Sequence, residues 1–213
     1  MDEISELRKR GVRVICCSGK QVRPGELGER ENAFWNETRF FHPLSDTQLV
    51  RAVRRLGAQP QAYSLLLKPV LRELPASPGR RVRSLGHTLM GAAMVEELAP
   101  LAVQHIHAHH GYFASWMAVV AARLLGIGFS FTLHGSDLLV HADLLTAKLR
   151  ECRFCVTVSD FNRRHILKNF PSTPASKVVV QRLESIASRV RSPPWLNPSR
   201  AGSVFFPWDA STP

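Results

Sequence analysis

Apolar residues change their spacing several times along the chain, and each change marks a predicted element. Residues 2–10 have the spacing of a short amphipathic helix that stops at Gly11. Val12-Arg13-Val14-Ile15-Cys16-Cys17 follows as a buried strand. Helix, glycine and strand in that order form an ordinary joint of an α/β sheet. A doubly wound domain normally opens with a strand, so the pattern opens one element late and a strand ahead of the first helix is expected to be missing.

Residues 19–36 are polar and turn-rich and read as a loop, and residues 38–42 read as a short strand. Residues 46–56, 61–74 and 80–99 carry apolar positions at helical spacing, punctuated by Pro60, Pro75, Pro78 and Pro100. This middle section predicts an all-helical insertion between two strands. From residue 104 the alternation becomes regular. Residues 104–108 form a strand, then residues 112–125 a helix with Phe113, Trp116, Val119, Val120 and Leu124 on its buried side, ended by Gly126. Strand 129–133, helix 143–151, strand 154–158, a helix from Asp160 capped by Ser159, and strand 177–181 complete the series. Short strand–helix repeats predict a parallel Rossmann-like sheet with helices on both faces. The domain is expected to occupy residues 1–188. Residues 189–213, rich in proline, are expected to form a disordered tail without a regular element.

Charge narrows the set of partners. The chain has 28 Lys+Arg against 17 Asp+Glu, a formal net charge of +11, which implies affinity for phosphate groups, anionic lipid or polyanionic glycan. A nucleic-acid role is not expected, because no aromatic-basic interleaving of a recognised reader is present. Cys152-x-x-Cys155 has metal or redox spacing, but Cys16-Cys17 cannot supply a second pair, so all four cysteines read as reduced structural residues of a cytoplasmic protein. No run of about 18 apolar residues predicts a membrane span. The acidic start Met1-Asp2-Glu3-Ile4-Ser5-Glu6 is not a secretory signal.

Ligands of open parallel sheets bind beyond the carboxyl ends of the strands, and three such places carry candidate chemistry. In His105-Ile106-His107-Ala108-His109-His110, strand alternation puts His105, His107 and His109 on one face. In Phe131-Thr132-Leu133-His134-Gly135-Ser136-Asp137, an imidazole leaves the strand end, followed by Gly135 and a carboxylate. Asp137 is placed either to cap the next helix or to hold His134 in one tautomer. In Thr157-Val158-Ser159-Asp160-Phe161-Asn162-Arg163-Arg164, a helix N-terminus offers amide, guanidinium and backbone N–H groups to an anion.

These segments, with the helix end Ala121-Ala122-Arg123-Leu124-Leu125-Gly126-Ile127, follow one another in the order and spacing of family four (group one) glycosyltransferases. The chain resembles exopolysaccharide and colanic-acid-type members most closely. Lys177-Val178-Val179-Val180-Gln181-Arg182-Leu183 resembles the strand that closes the family's N-terminal domain. The resemblance implies one half of a GT-B fold, in which the N-terminal domain holds the acceptor and a C-terminal domain holds most of a nucleotide-sugar donor. It implies retaining transfer to a glycan or lipid-linked acceptor, with no cofactor and no metal. His134 and Asp137 would be the catalytic pair, with His134 facing the transferred sugar or its diphosphate. His107, His109, Gly135, Ser159, Asn162 and Arg163 would line or order the cleft. The family's first strand and the donor domain are not matched. Glu184-Ser185-Ile186-Ala187 departs from the family pattern, and Glu29 and Glu37 reproduce the spacing of the donor-site glutamates only by chance. The expectation is therefore a truncated acceptor-side half with little or no activity alone: a truncated gene product, a frameshifted fragment, or one half of a split pair completed by a donor-domain chain, with peripheral contact to an anionic membrane at its cytoplasmic face.

Two other classes compete. His105-x-His107-x-His109-His110 is one residue away from the H-x-H-x-D-H zinc signature of metal-dependent hydrolases. The net charge alone would also suit a non-catalytic basic binding module.

Overall fold

The computed structural model describes residues 2–19, 34–41, 43–73, 77–140, 142–181 and 202–206. Helix α1 (Asp2–Lys9) leads into β1 (Arg13–Ser18), and the short β2 (Arg39–Phe40) follows. Three helices come next: α2 (Asp46–Gly57), α3 (Pro60–Arg72) and α4 (Pro78–Leu98). The regular half then runs β3 (Val103–His109), α5 (Phe113–Leu125), β4 (Gly128–Leu133), α6 (Ser136–Leu139), α7 (Leu145–Glu151), β5 (Phe154–Thr157), α8 (Asp160–Asn169) and β6 (Val178–Val180). A last strand, β7 (Gly202–Phe206), ends the described chain. All pairings are parallel, in the order β2-β1-β7-β3-β4-β5-β6.

Local chemistry sets the boundaries. Ser45 begins α2 with a capping box: its hydroxyl accepts from the Gln48 amide, and the Gln48 side chain accepts from the Ser45 amide at 2.9 Å. Gly126 ends α5 in the left-handed conformation, as the sequence predicts. The helical insertion is present as three helices. The 21-residue α4 packs along α5, where a Cβ on Gly91 would lie 2.7 Å from Met117 O and 2.8 Å from Val120 Cβ. Only glycine lets the two backbones approach this closely. Beside it, Trp116 Nε1 donates to Thr88 Oγ1 at 2.9 Å, and Thr88 donates to Ser84 O at 2.8 Å, so the buried indole keeps its hydrogen bond.

The sheet has two unlike faces. The crossovers β3–β4–β5–β6 all advance in one direction, so right-handed connection places α5, α7 and α8 on the same side. Ile106, Ala108, Phe129, Phe131 and Leu133 face that side, within the main core. The opposite face carries Val14 and Cys16 under α1, in a small cluster with Ile4 and Val12. Register continues that face across β3 and β4 as His105, His107 and His109 beside Ser130 and Thr132. The alternation expected of the three histidines is therefore real, and helices lie on both faces.

Residues 202–206 lie in the stretch expected to form a tail without a regular element, yet they form a strand paired on both sides. Ile15 and Ile106 both register with Val204, and Cys16 and His107 both register with Phe205. Val204-Phe205-Phe206 are strand formers by composition. The position between β1 and β3, where the pattern lacked a strand ahead of the first helix, is occupied by a segment from the other end of the described chain. Without it β1 and β3 would present open edges in the middle of the sheet. The expected domain limit at residue 188 lies outside the described residues.

Candidate functional site

Strands β3, β4 and β5 deliver their carboxyl ends to one rim, where three loops meet. Asp137 organises them from a fully buried position. Its Oδ1 accepts from the amides of His134 and Gly135, each at 2.9 Å. Its Oδ2 accepts from the Gly111 amide at 2.8 Å and lies 3.4 Å from His110 Nδ1. Burial pushes this carboxyl up. The bonds from His110 and from the Gly111 and Gly135 amides outweigh burial and hold it at about 2. Asp137 thus stays ionised and staples the β3 loop to the β4 loop. It fixes His134 through the main chain, not through the imidazole.

A Cβ at Gly111 would meet Leu133 Cδ2 at 2.4 Å, so the buried Leu133 side chain would have to shift to admit one. From below, the ammonium of Lys148 donates to the carbonyls of Gly111 at 2.6 Å, Tyr112 at 3.2 Å and Asp143 at 2.8 Å. Burial lowers Lys148 to about 7, opposed by Asp143, Asp137 and Glu73. Lys148 was missed in the sequence, but a signal existed. Leu145, Lys148, Leu149 and Cys152 recur at i, i+3, i+4 and i+7, which places the lysine on an apolar helix face.

The imidazoles divide into two groups. His105 and His107 are tied into the sheet. His105 Nε2 and His107 Nδ1 share Ser130 Oγ at 2.7 and 2.8 Å, and His107 Nε2 meets Thr132 Oγ1 at 3.0 Å. Phe154 stacks on both rings. Burial drives His107 down to about 4; burial, then His107 and Arg153, drives His105 to about 3. His107, expected in the cleft, is thus engaged in a ladder one step inside it. The second group, His109, His110 and His134, stands at the rim. His109 Nε2 and His134 Nε2 are 3.1 Å apart, and the His110 ring lies 4.3 Å from that of His134. Burial lowers His134, followed by the effect of His110. Burial, then His134 and its neighbours, lowers His109 to about 3. Both are neutral near pH 7, and one ring donates to the other. His110 has φ +106, an unusual backbone for a residue with a Cβ, held by the Asp137 and Lys148 contacts around it.

The third loop supports the second. Ser159 caps α8, its Oγ accepting from the Asn162 amide at 3.1 Å, as expected. Buried Asn162 donates to the His134 carbonyl at 3.2 Å. Arg163 goes elsewhere: it donates to the carbonyls of Val178 at 3.2 Å and Ala175 at 3.3 Å, at the amino end of β6, away from the rim. The rim that the sequence located therefore contains His109, His134, Gly135, Ser159, Asn162 and Asp137. His110 and Lys148 join them, while His107 and Arg163 serve the sheet.

The cysteines carry no chemistry here. All four are free and buried, and burial pushes Cys152 up to about 12 and Cys155 well above the ordinary thiol range. Glu37 bonds Arg8 at 2.7 Å on the surface, and Glu29 lies outside the described residues. The H-x-H-x-H-H run is divided, because His105 and His107 are directed to Ser130 and Thr132 while His109 and His110 stand with His134. No helix among the described residues is long and apolar enough to cross a membrane.

Sequence comparison gives this geometry its context. No curated protein shows significant similarity to the chain. Glycosyltransferase Family 4 matches residues 1–182, a span that contains β1 to β6 and the whole histidine rim. The chain belongs to that glycosyltransferase family.

Proposed function

We propose that this domain is the acceptor side of a retaining glycosyltransferase that moves a sugar from a nucleotide sugar to a glycan or lipid-linked acceptor, as in exopolysaccharide assembly. The observation that carries this reading is His134. Its main chain is fixed by Asp137 and Asn162, and its neutral imidazole stands at the strand-end rim of a family 4 domain. A neutral imidazole there can hydrogen-bond a sugar hydroxyl or a phosphate oxygen. Asp137, Asn162, Ser159 and Lys148 act as positioning groups that hold it in place, and their contribution is pre-organisation. Gly135 takes φ +158 at the turn after His134, a backbone that glycine adopts readily. In this reading a donor-side domain completes the cleft, and no metal takes part in transfer. The net charge of +11 supports peripheral contact with an anionic membrane carrying the acceptor.

The test is turnover of a panel of UDP-, GDP- and ADP-sugars by the purified chain, alone and with a donor-side domain, with and without EDTA. Transfer that survives EDTA and falls at least a hundredfold in His134→Ala is expected. Activity unchanged in a folded His134→Ala protein would remove His134 from the site.

A further inference from the structure

Three imidazoles at the rim converge in a way that hydrogen bonding to a sugar does not require. One ligand atom each from His109, His110 and His134 can be chosen so that all lie within 4.8 Å of one another. The Nε2 atoms of His109 and His134 are already 3.1 Å apart. Ligands of a tetrahedral ion at about 2.0–2.1 Å sit roughly 3.4 Å from each other. From a separation of at most 4.8 Å, closure onto an ion takes a movement of no more than roughly 1.4 Å.

The surroundings strengthen the case. Asp137 Oδ2 lies 3.4 Å from His110 Nδ1, and Glu3 Oε2 lies 4.0 Å from His109 Nδ1. A carboxylate behind one ring nitrogen while the other meets a metal is the usual outer-shell arrangement, which orients the ring and raises its basicity. Asp137 takes that position at His110, whereas Glu3 is near His109 but beyond hydrogen-bond reach. The three histidines come from the ends of two adjacent strands, and both loops are anchored by Asp137 and Lys148, so the set is held before any ion arrives. All three are partly exposed, which gives an ion an entry path. Neutral imidazole donors without thiolate select a borderline divalent ion of the zinc class.

We infer that His109, His110 and His134 form a binding site for a divalent transition metal ion of the zinc class, with Asp137 as outer-shell carboxylate and a further coordination position for water or a phosphate oxygen. The inference goes beyond the transfer reading and does not depend on it. A bound ion occupies the His134 nitrogen that transfer would use, so the two functions oppose each other at one atom.

The experiment is titration of the purified full chain with Zn²⁺ by calorimetry, followed by the visible and near-ultraviolet spectrum of the Co²⁺-loaded protein. One equivalent is expected, with tetrahedral cobalt bands and no thiolate charge-transfer band. His109→Ala, His110→Ala and His134→Ala should each weaken Zn²⁺ binding at least tenfold, while His165→Ala and the Cys152→Ser/Cys155→Ser pair leave it unchanged. Circular dichroism of each variant separates lost ligands from lost fold. A thiolate band in wild-type protein, or undiminished binding in the three folded histidine variants, overturns the site. Because no sugar is present, failure here leaves the transfer reading standing, and failure of turnover leaves the metal site standing.

Discussion

The two halves of the sheet are built on different plans. From β3 to β6 each strand follows its neighbour in the chain, each connection is a helix on the same side, and the loops converge on one rim. On the other side β2 still pairs with β1, its neighbour in the chain, but β7 comes from a remote position: Val14 and Ser203 are paired although nearly the whole domain lies between them. The first half is local and carries the candidate chemistry. The second closes the middle of the sheet with a strand from the far end of the chain. Sequence-local pairing forms with little loop-closure cost, whereas the distant strand must be recruited after the rest.

That difference can be tested by the same insult in each half. Proline removes a ladder donor and is tolerated only at edges. Val204→Pro strikes a strand paired on both sides, whereas Val179→Pro strikes β6, the last strand in the order. Val204→Pro should cost at least ~1–3 kcal/mol, the cost of leaving a buried ladder partner unsatisfied, with Val179→Pro clearly milder in urea titrations. Equal effects would mean that β7 contributes no more than an edge, and the comparison between the halves would collapse.

Legibility followed the same division. The regular half could be read because its periodicity switches cleanly between strand and helix, with Gly126 and Ser159 as punctuation. β7 could not. Five residues among prolines resemble a tail, and only the empty place between β1 and β3 gives them a partner. Strand-end position is enough to place His109, His134 and Asn162 near one rim, and the structure brings the three together there. Alternation tells which face His107 takes but not how far inside the rim it stops, and its ring bonds Ser130 and Thr132. Nor does helix position tell the reach of a long side chain: Arg163 extends to the carbonyls of Ala175 and Val178. Lys148 was hidden because a lysine on an apolar stripe is usually taken as an interruption, not as a buried donor to three carbonyls.

A second prediction sharpens the comparison within the regular half. Asp137 joins the β3 and β4 loops through main-chain amides on both sides. Asp137→Asn keeps the shape but turns one acceptor oxygen into a donor, set against the Gly111 amide or the His134 and Gly135 amides. The expected loss is ~1–3 kcal/mol. It should appear as increased hydrogen exchange at Gly111, His134 and Gly135, while β1 amides keep their protection. Loss spread evenly over both halves would show that Asp137 supports the whole sheet and not the rim.

The smallest expected effect is the pH dependence of the polar face. His105 and His107 sit at about 3 and 4 in the folded protein, below the ordinary 6.5, because burial disfavours their charged forms. As pH falls below 6.5 the unfolded chain therefore takes up protons that the folded chain refuses. Their contribution to stability is complete above that value and is lost as pH drops toward 4 and then 3, with a slope of at most about 1.4 kcal/mol per pH unit per histidine. Asp137 adds loss of the same sign at lower pH, since its folded value of about 2 lies below the ordinary 3.8. The corresponding positions of β1 on this face are Val14 and Cys16, which have no such titration there. Acid should therefore loosen β3 and β4 before β1, and His107→Asn should flatten the urea midpoint between pH 6 and 4 by up to one proton's worth of slope. A midpoint profile that His107→Asn leaves unchanged would mean that the ladder through Ser130 and Thr132 accommodates a charged ring, and that burial on this face is shallower than the packing of Phe154 against it implies.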